Sequence, residues 1–387
     1  MARILVNGMS AKSGGGKSIL RNLLGALADR DTGHELIVVV PSTDGYREFS
    51  SPTLRLVVLK DLASAAGLMS FSLFGVHRIL RDERIDVLFN PSDIPVRTRT
   101  KQIFLFDWPY AAFPDSPAWS LSTSRDLLVR RTKLALFKLG LGAIDLMLVQ
   151  SEVMANQIRK HYRVGKIAIM PNAVSLENLA PRKSSTAQFE LPAGFLFLCL
   201  SAYYTHKNLE VLLPVAEQIE RQGLGLRIVT TIGGKHPRAK ALLDEIEKRG
   251  LGNVWTDLGP VAMADVPELY QRCDALLLPT LLESFSGTYV EAMFHRKPIL
   301  TSNLPFATGV CRDAARYFEP LNPDSILQEM RKIADDVPLR SSLVEKGEQL
   351  LAAMPDWSDV AENFLQWIDA VQSIPPKHLV ENREAGG

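Results

Sequence analysis

Short aliphatic runs alternate with stretches of helical spacing along the whole chain. In the first half the runs are Ile4–Val6, Leu36–Val40, Leu56–Leu59, Val87–Phe89, Ile103–Phe106, Leu146–Val149 and Ile167–Met170. Each is nearly continuous in hydrophobicity, the pattern of parallel strands covered on both faces rather than of half-exposed antiparallel ones. Between them the spacing is helical: over Ser18–Asp29, Ile19, Leu23, Leu24 and Leu27 share one face, and Thr32-Gly33-His34 ends the segment. Residues 180–193, Ala-Pro-Arg-Lys-Ser-Ser-Thr-Ala-Gln-Phe-Glu-Leu-Pro-Ala, have no period and suit a linker. The alternation then resumes with strands predicted at Phe195–Leu200, Leu226–Ile232, Val254–Thr256, Ala275–Leu278, Ile299–Thr301 and Tyr317–Phe318. Helices are predicted at Asn208–Arg221, Pro237–Arg249, Asp265–Gln271, Thr288–Phe294 and Asp324–Ala334, with a last one at Val360–Val371 before a polar tail.

The pattern predicts an α/β protein of two tandem, Rossmann-like, doubly wound domains with a crevice between the carboxyl ends of two parallel sheets. The expected divisions are 1–179, the linker 180–193, 194–355, and a C-terminal helix and tail over 356–387. The 387 residues are enough for two cores, and a composition 46% hydrophobic and 22% charged excludes a disordered or fibrous chain.

Charge changes the picture only once the halves are separated. The total is +1, yet residues 1–180 carry 23 Lys and Arg against 16 Asp and Glu, and the remainder 21 against 27. A basic half and an acidic half are expected to meet different partners. Cys199, Cys273 and Cys311 lie in or beside apolar runs without metal-ligand spacing, as expected of buried reduced thiols in a cytoplasmic protein. Stretches free of charged residues reach only 16 positions, at 62–77 and 191–206, too few for a membrane-spanning helix. The start, Met1 to Gly8, is too short in apolar residues for a signal peptide.

Two segments carry chemistry. Ala11-Lys-Ser-Gly-Gly-Gly-Lys-Ser18 is a loosened phosphate-loop pattern, with Gly14, Gly15 and Gly16 expected in a flexible loop at a helix N-terminus that favours an anionic or hydroxyl-rich ligand. A phosphate-loop kinase or triphosphatase would use Lys17 and magnesium, but the strand ends at about Asn7, and no later strand ends in the Asp that would hold the metal. The second segment runs from Pro279 to Pro298. A buried strand leads into a loop with Glu283, and Ser286-Gly287-Thr288 opens a helix carrying Glu291. A diphosphate can sit on that helix N-terminus, with one carboxylate before it and one inside it to take sugar hydroxyls. Glutamates at helix starts also serve as caps, so the segment alone leaves both readings open.

Taken together, the ordered motifs resemble the retaining GT-B glycosyltransferases of family 4, the glycosyltransferases group 1. They are Glu283-x7-Glu291 followed by Ala-Met and Pro298, Tyr203-Tyr-Thr-His-Lys207-Asn-Leu-Glu, Asp145-Leu-Met-Leu-Val-Gln-Ser151, Met170-Pro-Asn172-Ala-Val174, and Leu258-Gly259 with Leu269-Tyr270 and Asp274. The resemblance covers about residues 2–350. It implies that Glu283 contacts the transferred sugar, that Glu291 contacts the nucleotide ribose, and that Phe285, Ser286, Gly287 and Thr288 hold the diphosphate. Lys207 would neutralise the departing phosphate, with Asn208 beside it at the donor. Where many members carry His before Asp at a strand end of the first domain, this chain has Phe106-Asp107, which makes Asp107 the candidate on the acceptor side. An arginine often found ahead of the lysine is absent from Cys199-Leu-Ser-Ala-Tyr-Tyr.

The resemblance implies transfer of a hexosyl unit from a nucleotide-diphospho-sugar to a glycan or lipid-linked acceptor, in cell-surface polysaccharide or glycolipid synthesis. No metal or other cofactor and no nucleic-acid partner is expected; Asp29-Arg-Asp31 reads as a solvated cluster. A sugar-nucleotide epimerase of the same architecture is the alternative. Residues 125–138 form a basic amphipathic helix with Arg125, Arg130, Arg131, Lys133 and Lys138, either a peripheral contact with the inner face of a membrane or a core-facing helix with a solvated edge.

Overall fold

The computed structural model describes residues 1–11, 14–28, 30–49, 51, 53–60, 67, 70–173 and 189–375. The predicted division at 179, linker residues 180–188, Val174 and the tail from 376 lie outside the described residues.

Two parallel sheets form as the hydrophobic runs require. The first holds β1 (Arg3–Asn7), β2 (Glu35–Val40), β3 (Leu54–Val58), β4 (Val87–Pro91), β5 (Lys101–Leu105), β6 (Leu146–Val149) and β7 (Lys166–Ile169), in the order β3-β2-β1-β4-β5-β6-β7. The second holds β8 (Phe195–Cys199), β9 (Leu226–Thr230), β10 (Trp255–Asp257), β11 (Ala275–Leu278), β12 (Ile299–Ser302) and β13 (Ala315–Phe318), ordered β10-β9-β8-β11-β12-β13. Both orders reverse direction once, between β1 and β4 and between β8 and β11. Those reversals are the places where a doubly wound sheet opens a crevice at its carboxyl edge. All four residues of β6 and of β11 are buried, as a strand covered on both faces requires.

The intervening helices are α1 (Gly14–Ala28), α2 (Val76–Asp82), α3 (Pro109–Ala112), α4 (Ser124–Gly140), α5 (Glu152–His161), α6 (Leu212–Arg221), α7 (Pro237–Lys248), α8 (Val266–Arg272), α9 (Gly287–Phe294), α10 (Pro305–Cys311), α11 (Pro323–Asp335), α12 (Val337–Ala352) and α13 (Trp357–Gln372). α6 starts later than the sequence pattern suggests, because Leu209–Val211 forms a separate 3-10 turn behind left-handed Asn208. α12 has no counterpart among the predicted helices. Only Leu343 and Gly347 of it are buried, so it leaves little apolar period to read.

α13 leaves the second domain and docks on the first. Trp357, Val360, Ala361, Phe364, Ile368 and Val371 join the cluster built from β1, β2, β4 and α1. Phe364 meets Phe89 of β4 edge-on at 4.8 Å between ring centroids, and Lys101 Nζ donates to Pro375 O at 2.7 Å. A further apolar cluster joins the two domains, with Phe104, Phe106, Phe113 and Met154 from the first packed in one body with Leu278, Leu281, Tyr289 and Phe306 from the second. Cys199, Cys273 and Cys311 are buried free thiols. Among the described residues no helix is long and apolar enough to cross a membrane.

Candidate functional site

The candidate residues of the second domain come from the loops after β8 and β11, the neighbouring strands at its reversal. After β8, Thr205–Lys207 makes a 3-10 turn ending on Asn208, which sits in the left-handed region at φ 56° and ψ 36°. Asn tolerates that conformation better than most residues. Here its buried side chain holds the turn, Nδ2 donating to Pro279 O at 3.2 Å and Pro320 O at 2.9 Å. The amide expected at the donor is thus occupied in tying loops together and placing Lys207.

Lys207 Nζ donates to Glu283 Oε1 at 2.5 Å, both side chains keeping 12% of their surface exposed. Thr280 Oγ1 donates to the same oxygen at 3.0 Å. The loops are also stitched by backbone, Leu281 N donating to His206 O at 2.8 Å. His206 is enclosed between the domains, and burial brings its imidazole down to about 4, with Lys207 and Arg130 adding to the fall and Glu283 opposing it. It is neutral at pH 7.

Past Glu283, α9 opens at Gly287 with no side-chain cap from Ser286, whose hydroxyl instead pairs with Thr288 Oγ1 at 2.8 Å. Tyr289 N donates to Ser286 O at 3.2 Å, which leaves the N–H groups of Gly287 and Thr288 for another acceptor. Glu291 stands one turn into α9, where Tyr270 donates its hydroxyl to Oε2 at 3.2 Å. Burial raises the Glu291 carboxyl, and the tyrosine hydrogen bond opposes that rise. Phe285 lies partly buried against the apolar cluster between the domains.

Asp107 follows β5 in the first domain and faces this edge. Ser284, next to Glu283, donates its hydroxyl to Asp107 Oδ1 across the crevice. Burial lifts the Asp107 carboxyl to about 7; Asp93 and Glu283 push the same way, and the Ser284 hydrogen bond and the neighbouring Gln150 amide oppose the shift. Ser116 Oγ donates to Leu281 O at 2.9 Å and Arg238 to Leu121 O at 3.0 Å, closing the two walls against each other.

The glycine-rich segment differs from the flexible loop the sequence suggests. Gly14, Gly15 and Gly16 form the first turn of α1, after a 3-10 turn at Gly8–Ser10. α1 thus begins four residues ahead of the predicted Ser18, while its buried face is made by Ile19, Leu20, Leu23, Leu24 and Leu27. A Cβ at Gly15 or Gly16 would meet nothing within 4 Å. Lys17 leans away over the Tyr46 ring, 6.0 Å from its centroid.

The basic helix α4 divides its charges. Arg130 stacks on Tyr110 with its guanidinium carbon 3.7 Å from the ring centroid, and Lys133 pairs with Asp93 while lying over Trp108. Arg125, Arg131 and Lys138 face outward beside Leu128, Val129 and Leu139, which are 67%, 60% and 65% exposed.

Ser284 and Gln150 escape a sequence reading of the site, and Tyr270 and Arg130, named there for a motif and for the basic helix, gain their place at the site only from the fold. The available signal is positional: Gln150 is a polar residue closing a wholly apolar strand, where a parallel sheet presents side chains to its crevice. Two surface hollows of about 500 and 650 Å³ lie on the flanks of the second domain, one lined by α6 and α11 and the other by α12 with Lys297, away from this edge.

Comparison with known proteins meets this geometry from both ends of the chain. Residues 184–350 match the family described as Glycosyl transferases group 1, and residues 13–178 match Glycosyltransferase Family 4. The O-antigen chain mannosyltransferase RfbU of Salmonella typhimurium is 25% identical over 187 residues, 48% of this chain and 50% of that protein. The chain spans about half the length of the curated relatives it matches. In fold it is similar to sucrose-phosphate synthase from Thermosynechococcus elongatus, with a TM-score of 0.77 at 16% identity over 96% of this chain and 99% of that one. Anabaena Alr3699/HepE, solved in complex with UDP and glucose, gives a TM-score of 0.69 at 15% identity, covering 96% of this chain and 100% of the other. The two sheets are thus the two Rossmann-like domains of a GT-B fold.

Proposed function

The chain belongs to the group 1, family 4 GT-B glycosyltransferases, and we propose that it moves a hexosyl unit from a nucleotide-diphospho-sugar to a hydroxyl of a glycan or lipid-linked acceptor, with retention of configuration. The observation that carries this reading is the Lys207 and Glu283 pair at the reversal of the second sheet, facing Asp107 on the opposite wall. HepE, with UDP and glucose bound, supports a nucleotide sugar as the donor class. RfbU, an O-antigen chain mannosyltransferase, supports a role in cell-surface polysaccharide or glycolipid synthesis.

In this reading Glu291 takes the ribose, and the free N–H groups at the start of α9, around Gly287 and Thr288, take the diphosphate together with Ser286. Lys207 gives up part of its bond to Glu283 and turns its charge on the phosphate as the sugar leaves. Glu283, so released, meets the transferred sugar. Asp107 orients the acceptor hydroxyl from the first domain, and closure of the two walls keeps water from the reacting carbon. The phosphate charge is met by a lysine and a helix end, so the reading calls for no metal ion. The outward face of α4, where Leu128, Val129 and Leu139 alternate with Arg125, Arg131 and Lys138, would rest on an anionic inner-leaflet surface on the cytoplasmic side and bring a lipid-linked acceptor to the crevice.

A panel of nucleotide sugars, with and without a crude lipid extract, tests the reading by release of free nucleoside diphosphate. Release that depends on acceptor is expected. Conversion of the donor alone would instead identify an epimerase. Glu283→Ala is expected to abolish release while still binding a bare nucleoside diphosphate, and Glu291→Ala to weaken that binding at least about tenfold, the loss of one charged hydrogen bond. Equal loss of binding in both variants would sink the assignment of roles.

A further inference from the structure

Gln150 has no part in the mechanism above, although its place is unusual. It follows β6, whose four residues are all buried, and it is itself buried at 4% exposure. β5 and β6 are neighbours in register, Leu105 opposite Leu148, so Asp107 and Gln150 leave adjacent strand ends side by side. The Gln150 side chain faces the Asp107 carboxyl, and its Nε2 is buried without a hydrogen-bond partner. A buried amide donor left unmade costs about 1–3 kcal/mol, so a sequence tolerates one where the group has other work.

We propose that Gln150 is a positioning residue for Asp107: its carboxamide on one side and the Ser284 hydroxyl on the other aim the Asp107 carboxylate at the acceptor and support its anionic form. The inference rests on the reading of Asp107 as the acceptor-side carboxylate. The physical need is plain. Asp107 is half-buried, and the charged groups that act against its ionisation, Asp93 from the loop after β4 and Glu283 from the loop after β11, are both acidic. Their cationic partners are turned to them, Lys133 of α4 to Asp93 and Lys207 to Glu283, and neutral His206 adds no charge. Support for the Asp107 anion therefore comes from two neutral donors, Gln150 on its own wall of the crevice and Ser284 on the other. The Ser284 bond is made across the domains and is lost whenever they part. Gln150 belongs to the same sheet as Asp107 and stays with it.

The test is titration of the Asp107 carboxyl in the full chain labelled with aspartate carrying carbon-13 in the side-chain carboxyl, the resonance being identified by its loss in Asp107→Asn. In Gln150→Met, which keeps the shape and removes the donor, the midpoint is expected to rise by about half a pH unit or more. Gln150→Glu, which adds a third anion, is expected to raise it further, and serves where the Met variant folds poorly. Ser284→Ala supplies the comparison, since its donor bond is made. A midpoint unmoved to within about 0.2 unit in both Gln150 variants overturns the proposal, because a merely structural glutamine leaves the titration where it was. Full nucleoside diphosphate release by Asp107→Asn overturns it as well. The two failures are distinct, since the second removes the acceptor role of Asp107 while the titration still reports on Gln150.

Discussion

At the scale of single residues, the candidate site is a set of charges whose values depend on enclosure. The Asp107 carboxyl, held at about 7, keeps its proton at pH values where the unfolded chain has lost it. The folded state therefore binds more protons than the unfolded one between about pH 4 and 7, and stability falls as pH rises through that window. Asp107→Asn removes the charge at every pH and retains an acceptor oxygen for Ser284. Its melting temperature is expected to match the parent near pH 4 and to exceed it by about 2–6 °C near pH 8. A thermal unfolding series across pH checks this, and a variant no more stable than the parent at pH 8 would show that the carboxylate is not penalised by burial. The same substitution is expected to lower transfer, which makes Asp107 a place where function costs stability.

At the scale of elements, the strands were legible because each is a short buried apolar run bounded by turn residues, and the β11 run of Ala275–Leu278 agrees end to end. α12 was not legible because it rests on two buried positions. The destination of α13 could not be read either: its apolar face is plain in the sequence, but nothing local says that the face is completed by Phe89 and α1 rather than by the second domain. In the site, Glu283 stands out through its spacing to Glu291 and Lys207 through the resemblance of the motif around it, whereas Ser284 and Gln150 matter only because two loops and two strand ends meet in space. The glycines of α1 were legible as special and misplaced as a loop. Glycine is a poor helix former, costing about 1 kcal/mol against alanine, and neither packing nor a positive φ calls for it at Gly15. Gly15→Ala is therefore expected to stabilise the chain by up to about 1 kcal/mol. If a ligand approaches this backbone, the same change lowers transfer. Denaturant unfolding beside nucleoside diphosphate release separates the two effects, and a variant both more stable and fully active would remove the first turn of α1 from the site.

At the scale of the whole molecule, the site is made by the approach of two domains, so the contacts that set this approach govern activity without touching substrate. One such contact lies between α10 of the second domain and α5 of the first. A Cβ on Gly309 would lie 2.3 Å from Val153 Cγ2, closer than any real contact, and 3.4 Å from Val153 Cβ. Valine is stiff about χ1 and has little room to turn aside within a helix. The added methyl is thus relieved by moving the helices apart, which also pulls Ser284 away from Asp107 and Ser116 from Leu281. Gly309→Ala is expected to lower kcat/KM at least about tenfold, equivalent to ~1.4 kcal/mol, while binding of nucleoside diphosphate to the second domain alone stays within about twofold of the parent. Val153→Ala removes the opposing methyls, so the double variant is expected to recover most of the loss, a coupling that independent sites do not show. Small-angle scattering reads the same event as a larger radius for Gly309→Ala than for the parent or the double variant. An alanine variant that turns over normally, or a double variant no better than the single one, would mean that the α5 and α10 contact does not set the closed geometry.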